Sequence, residues 1–110
     1  MRWLNGNFYD GLFSTSVWTN GNFYNGDMIE SSWLDGNFYY GRLFTVEWEH
    51  GNFYNGISNF SKFKSVEWYD GIFNGDIFGV TGGVANWHSG SFNSGKLGIV
   101  TGKQIGRAHV

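Results

Sequence analysis

The histidines are the first residues to question for chemistry. His50, His88 and His109 stand far apart, in neither H-x-x-x-H nor H-E-x-x-H spacing, and the chain has no cysteine, so they suggest no local metal-ligand set. A lone histidine is more often a surface residue than a ligand. Glu47, Glu49, Glu67 and Asp70 are the candidates for a glycosidase acid and base on one wall, although acids repeated along a wall usually serve solvation. Residues 98–106 are glycine-rich and run toward Lys103 and Arg107. They lack the spacing and the strand-to-helix setting in which backbone amides cradle a phosphate. The expectation is a non-enzyme with no catalytic residue, no cofactor and no metal.

The elements that carry these residues are written more clearly. W-x-x-G-x-F recurs from Trp3, Trp18, Trp33, Trp48, Trp68 and Trp87, the mark of a repeat architecture in which each unit buries its apolar face against its neighbours. A finer period runs beneath it. A large apolar residue falls at every fifth position: Trp3, Phe8, Phe13, Trp18, Phe23, Met28, Trp33, Phe38, Leu43, Trp48 and Phe53, then, after a lapse at Ser58, Phe63, Trp68, Phe73 and Phe78. Two residues before each stands a small one, as in Gly6, Gly11, Ser16, Gly21 and Gly26. The fifteen large residues are the expected core.

Five is the period of neither a helix nor a plain strand. Glycine and asparagine between Trp, Phe and Tyr favour short extended pieces joined by tight corners, so the expected fold is all-β, a β-solenoid with large residues stacked inward at about 4.8 Å per coil. The small-polar-large-x-x pattern from Gly6-Asn7-Phe8 to Gly71-Ile72-Phe73 resembles the pentapeptide-repeat proteins. That resemblance implies a right-handed, four-sided β-helix with about twenty residues per coil. The longer W-x-x-G-x-F-x-x-G unit resembles aromatic and glycine-rich repeats of phage structural proteins.

Twenty residues per coil is preferred to fifteen on two grounds. The step from Trp48 to Trp68 is one pentapeptide longer than the earlier steps without loss of phase. A three-sided coil must also fit three large groups into each layer. The alternatives are a three-sided coil of 15 residues or a hairpin array turning at Asn5-Gly6, Asn20-Gly21, Asp35-Gly36, His50-Gly51 and Asp70-Gly71.

The expected domains are a regular solenoid over 1-78 and irregular glycine-rich coils with a cap over 79-110. In the second, Trp87, Phe92 and Leu97 resume one position out of phase, which implies a bulge or deletion, and Thr81 and Thr101 repeat Val-Thr-Gly twenty residues apart. Residues 1–76 hold nine acids against four bases and the remainder three bases and no acid, for a net charge of −2. That charge is too weak to mimic or seek nucleic acid. Regular outward Thr-x-Thr rows, which an ice-binding solenoid needs, are missing. No apolar run reaches the length of a membrane span and no leader pattern opens the chain, so it is expected to be soluble and unprocessed.

Tyr9, Tyr24, Tyr39 and Tyr54 each follow an inward Phe and should face outward, as a candidate interaction surface. The expected function is a rigid structural scaffold that assembles with itself, or with other structural proteins, in a virion, tail fibre or other extracellular assembly. The alternative is a monomeric module that binds a protein or glycan through the Tyr and acidic rows.

Overall fold

The computed structural model describes residues 2–80, 82–98 and 100–102. The first three coils are β1 (Arg2–Trp3), β2 (Asn7–Phe8), β3 (Leu12–Ser14), β4 (Val17–Trp18), β5 (Asn22–Phe23), β6 (Asp27–Ile29), β7 (Ser32–Trp33), β8 (Asn37–Phe38) and β9 (Arg42–Phe44). They are followed by β10 (Glu47–Trp48), β11 (Asn52–Phe53), β12 (Ile57–Phe63), β13 (Val66–Trp68), β14 (Ile72–Phe78), β15 (Ala85–Trp87), β16 (Ser91–Leu97) and β17 (Val100–Gly102). Every pairing between described strands is parallel. The chain is an all-β solenoid of about six turns.

Register corrects the expected coil size. Trp3 pairs with Trp18, Trp18 with Trp33 and Trp33 with Trp48, so each partner lies fifteen residues on, and each coil holds three strands. The long step to Trp68 misled because the tryptophan changes ladder. Phe63 takes the place above Trp48, while Trp68 stands above Phe53. All three ladders use the same inward geometry every five residues, so a Trp can move from one to the next without disturbing the phase.

The packing objection to a three-stranded coil is met by ring geometry. Between coils, Trp3, Trp18, Trp33 and Trp48 stack with centroids 5.1, 5.0 and 4.5 Å apart. Phe8, Phe23, Phe38 and Phe53 stack at 4.8, 4.8 and 5.0 Å. Within a coil, Trp18 meets Phe23 edge-on at 5.6 Å and 72°, an arrangement favoured by the ring quadrupoles. The third ladder runs Phe13, Met28, Leu43, Ser58, Phe73 and Phe92, so in the middle coils a smaller group stands beside the stacked Trp and Phe and leaves them room. Ser58, the smallest of them, is buried without a hydrogen-bond partner for its hydroxyl.

Two corners of each regular coil carry a glycine, most often after Asn or Asp. Asn5, Asp10, Asp35, Asn55 and Asp70 each accept the following glycine N–H at 2.8 Å. A Cβ on Gly21, at φ +119°, would lie 2.3 Å from the Gly6 carbonyl oxygen, so the coils close only over glycine. At the third corner Thr15, Glu30, Thr45 and Phe60 take φ between 48° and 57°. There Ser16 and Ser31 donate to the carbonyls two residues back at 2.7 and 2.9 Å. The Asn-Gly pairs thus turn the chain from one ladder to the next, and the hairpin array is set aside by the parallel pairing.

The ladders continue past residue 78. Phe78 pairs with Leu97 and Trp68 with Trp87, a step of nineteen, before Ala85 pairs with Val100 at fifteen. The change of phase is therefore a four-residue insertion in the loop 79–84 and not a deletion; modulo five the two are indistinguishable. Thr101 pairs with Asn86, whereas Thr81 and residues 103–110 of the expected cap lie outside the described residues. The rod measures 39 × 24 × 19 Å.

Candidate interaction surface

Because inward residues alternate with outward ones along each strand, the fifteen-residue register also lines up the outside. Tyr9, Tyr24, Tyr39 and Tyr54 come together as one row, with centroids 5.2, 5.0 and 4.9 Å apart and planes within 6°. Tyr69 and His88 extend it at 4.8 and 4.7 Å. The sequence reading missed these two. Tyr69 follows a Trp instead of a Phe, and His88 is a residue for which an aromatic row is not an obvious home.

Beside the tyrosines runs an amide row. Asn22, Asn37 and Asn52 each donate Nδ2–H to the amide oxygen of the asparagine one coil earlier at 3.0, 2.9 and 2.9 Å. Glu67 replaces the next asparagine. Its carboxylate accepts from Asn86 and lies 2.8 Å from His88 Nε2. Partial desolvation pushes the Glu67 carboxyl up, but the His88 and Asn86 hydrogen bonds and the charge of His88 outweigh it and hold the group below its ordinary value.

This geometry limits what the tyrosine row can bind. A sugar or planar ligand stacks on a ring face, and the inner tyrosines have both faces against their neighbours. Ring edges and phenol hydroxyls are what the row presents to solvent.

The candidate acids are scattered. Glu47 is on β10 opposite Lys62 of β12, and Glu67 is on β13 in the Asn ladder. Glu49 lies 3.9 Å from Lys64, and Asp70 caps the Gly71 amide. Among the described residues no group of three or more metal-ligating side chains is assembled. The His50 carbonyl accepts the Trp33 indole N–H at 3.0 Å. His109 and much of 98–106 lie outside the described residues. Among those described, no helix is long and apolar enough to cross a membrane.

One further face stands out, on the outward side of β3, β6, β9 and β12. An open groove of about 720 Å3 runs along it, lined by Leu12, Asp27, Ile29, Tyr40, Arg42 and Ile57 among others. Leu12, Phe44 and Phe60 are 62%, 44% and 59% exposed. Arg42 donates from Nε and an Nη to the two carboxylate oxygens of Asp27 at 2.9 and 3.2 Å, which raises the guanidinium pKa further. The sequence reading passed over this face, because its residues fall on the polar and variable positions of the five-residue unit.

No protein-family model matches the chain, and no curated protein and no solved structure matches it either.

Proposed function

We propose that the protein is a non-enzymatic structural protein, a rigid repeat scaffold that assembles into or decorates a larger particle or fibre such as a phage virion or tail. The observation that supports this reading is the continuity of the ladders. Trp, Phe, Tyr and Asn rows run from coil to coil inside and outside the rod. A chain laid out in this way specifies a stiff shape and a repeating surface. Its Tyr and Asn rows are spent on contacts along the axis.

The likeness to pentapeptide-repeat proteins belongs to the same proposal. It is a likeness of the five-residue unit, with three units per coil where the resemblance implied four. The binding-module alternative draws on the tyrosine row, but stacking withdraws the inner ring faces a glycan would need, so the scaffold reading is preferred.

Light scattering coupled to size exclusion, over a concentration series, tests the proposal. The scaffold reading expects a mass that grows with concentration above the 12.5 kDa monomer, with particles or fibres visible by negative-stain microscopy. A monomer at every concentration, alone and with candidate structural partners, would refute it.

A further inference from the structure

We infer that the outward face of β3, β6, β9 and β12 docks a second copy of this chain about a twofold axis lying in the interface, parallel to the strands and midway between β6 and β9. The inference rests on the scaffold reading, to which it adds the surface and geometry of self-association.

The face is self-complementary. Register stacks Leu12, Asp27, Arg42 and Ile57 in one outward row. Over these four coils the row reads apolar, negative, positive, apolar, and it continues to Ile72 on β14, which would lie beyond the partner's Leu12. A twofold axis in the interface reverses the solenoid direction and leaves the row in place, so position one faces position four and position two faces position three. Leu12 then meets the partner's Ile57, and Asp27 meets the partner's Arg42. An isologous interface demands this reciprocity, residue i on j and j on i.

The neighbouring row obeys the same symmetry. Ser14, Ile29, Phe44 and Asn59 are stacked in register and read polar, apolar, apolar, polar. The same axis places Ile29 against the partner's Phe44 and Ser14 against the partner's Asn59. Two independent rows thus share one symmetry centre. The rival in-plane axis, parallel to the solenoid, would set Asp27 on the partner's Asp27 and Arg42 on the partner's Arg42 if it ran through their row, a like-charge juxtaposition, and would set them on the partner's Ile29 and Phe44 if it ran between the rows, where the charges gain no partner.

Within the monomer Asp27 and Arg42 already form a two-bond pair, with the Arg42 side chain largely in solvent and that of Asp27 half-buried. In the dimer each carboxylate would lie between two guanidiniums, a four-charge ring closed over by apolar residues. The four coils, at about 4.8 Å each and roughly 20 Å wide, offer on the order of 400 Å2 per protomer, about half of the usual ~800 Å2. The pairing is therefore weak in isolation, and an assembly that repeats it gains through avidity.

The test is sedimentation velocity on the wild-type chain and two charge variants, D27R and R42D, with circular dichroism as the check on folding. Each variant alone sets like charges face to face and should weaken association at least tenfold. Mixed in equal amounts, the two variants face each other with opposite charges and should recover wild-type association as a heterodimer. Leu12→Asp, at an exposed site one coil before Asp27 that keeps both members of the ion pair, should weaken association too, and serves if a charge variant misfolds. If the wild type associates but the variants associate equally well, or if the mixture fails to recover, this surface is wrong while the scaffold reading stands. If the wild type is monomeric up to the highest soluble concentration, this surface is overturned, and the scaffold reading falls with it only if candidate structural partners also fail to bind.

Discussion

Alanine at equivalent glycine corners gives a sharp test of the fifteen-residue coil. Gly6, Gly21 and Gly36 share a corner and a backbone, with φ of +112°, +119° and +118°, so an alanine at any of them carries the same conformational cost of about 1–3 kcal/mol. Their surroundings differ. A Cβ at Gly6 would have Trp3 Cζ2 as its nearest neighbour at 4.0 Å, an ordinary contact, whereas one at Gly36 would lie 2.4 Å from the Gly21 carbonyl oxygen. That oxygen also accepts the Asn37 N–H at 2.9 Å.

Relieving the clash means parting coils two and three by about an ångström. The Asn37 bond is then lost, at about 1 kcal/mol net. The stacks of Trp18 on Trp33 and Phe23 on Phe38, at 5.0 and 4.8 Å, are loosened at about 0.5–1.5 kcal/mol each. Gly36→Ala is therefore expected to cost about 2–4 kcal/mol more than Gly6→Ala, a large part of the 5–15 kcal/mol typical of a domain. Urea unfolding at 25 °C, followed by tryptophan fluorescence and far-ultraviolet circular dichroism, measures the difference. Equal destabilisation by the two substitutions, within about 1 kcal/mol, would mean that Gly36 does not lie over Gly21, and the fifteen-residue register would fall with it.

Three other outcomes can be checked with the same assays. Phe23→Asp places a carboxylate at a fully buried core position and should abolish folding. Tyr24→Ser removes two ring stacks from the surface and should cost only about 1–3 kcal/mol; similar tolerance of the two would contradict the inward–outward assignment. Deleting residues 80–83 returns the nineteen-residue coil to fifteen and should leave the β signal intact with stability changed by less than about 2 kcal/mol, since loop length matters slowly; collapse of the fold would show that the insertion is integral to the coil. The Glu67 carboxyl, held low by His88 and Asn86 in the folded state, contributes stability that is present above its unfolded pKa and lost as pH falls through the lower folded value. Wild type should lose stability relative to Glu67→Gln on acidification below about pH 4.5, and parallel pH profiles would remove that carboxylate from the account.

Which features were readable without coordinates follows from what each residue is asked to do. The inward row was readable because burial forces one residue class onto one phase: Trp, Phe, Met and Leu at every fifth position can satisfy little else. The outward Tyr9–Tyr54 row followed, since it keeps a fixed offset from that phase. The Asp27–Arg42 pair and the apolar residues around it were not readable. They occupy the polar and variable positions of the five-residue unit, and their meaning comes from being fifteen apart and neighbours across a ladder.

By itself the sequence determined the period, the inward residue of every step, the corners that need glycine and hence an all-β solenoid, because these are local demands of burial and backbone geometry. Only the tertiary structure decided how many steps close a coil. The inward phase is the same after fifteen residues as after twenty, and what distinguishes them is which rings and carbonyls meet across coils. Trp18 on Trp33, Gly21 beneath Gly36 and Asp27 beside Arg42 are contacts between residues fifteen apart, and no local rule of the chain states them.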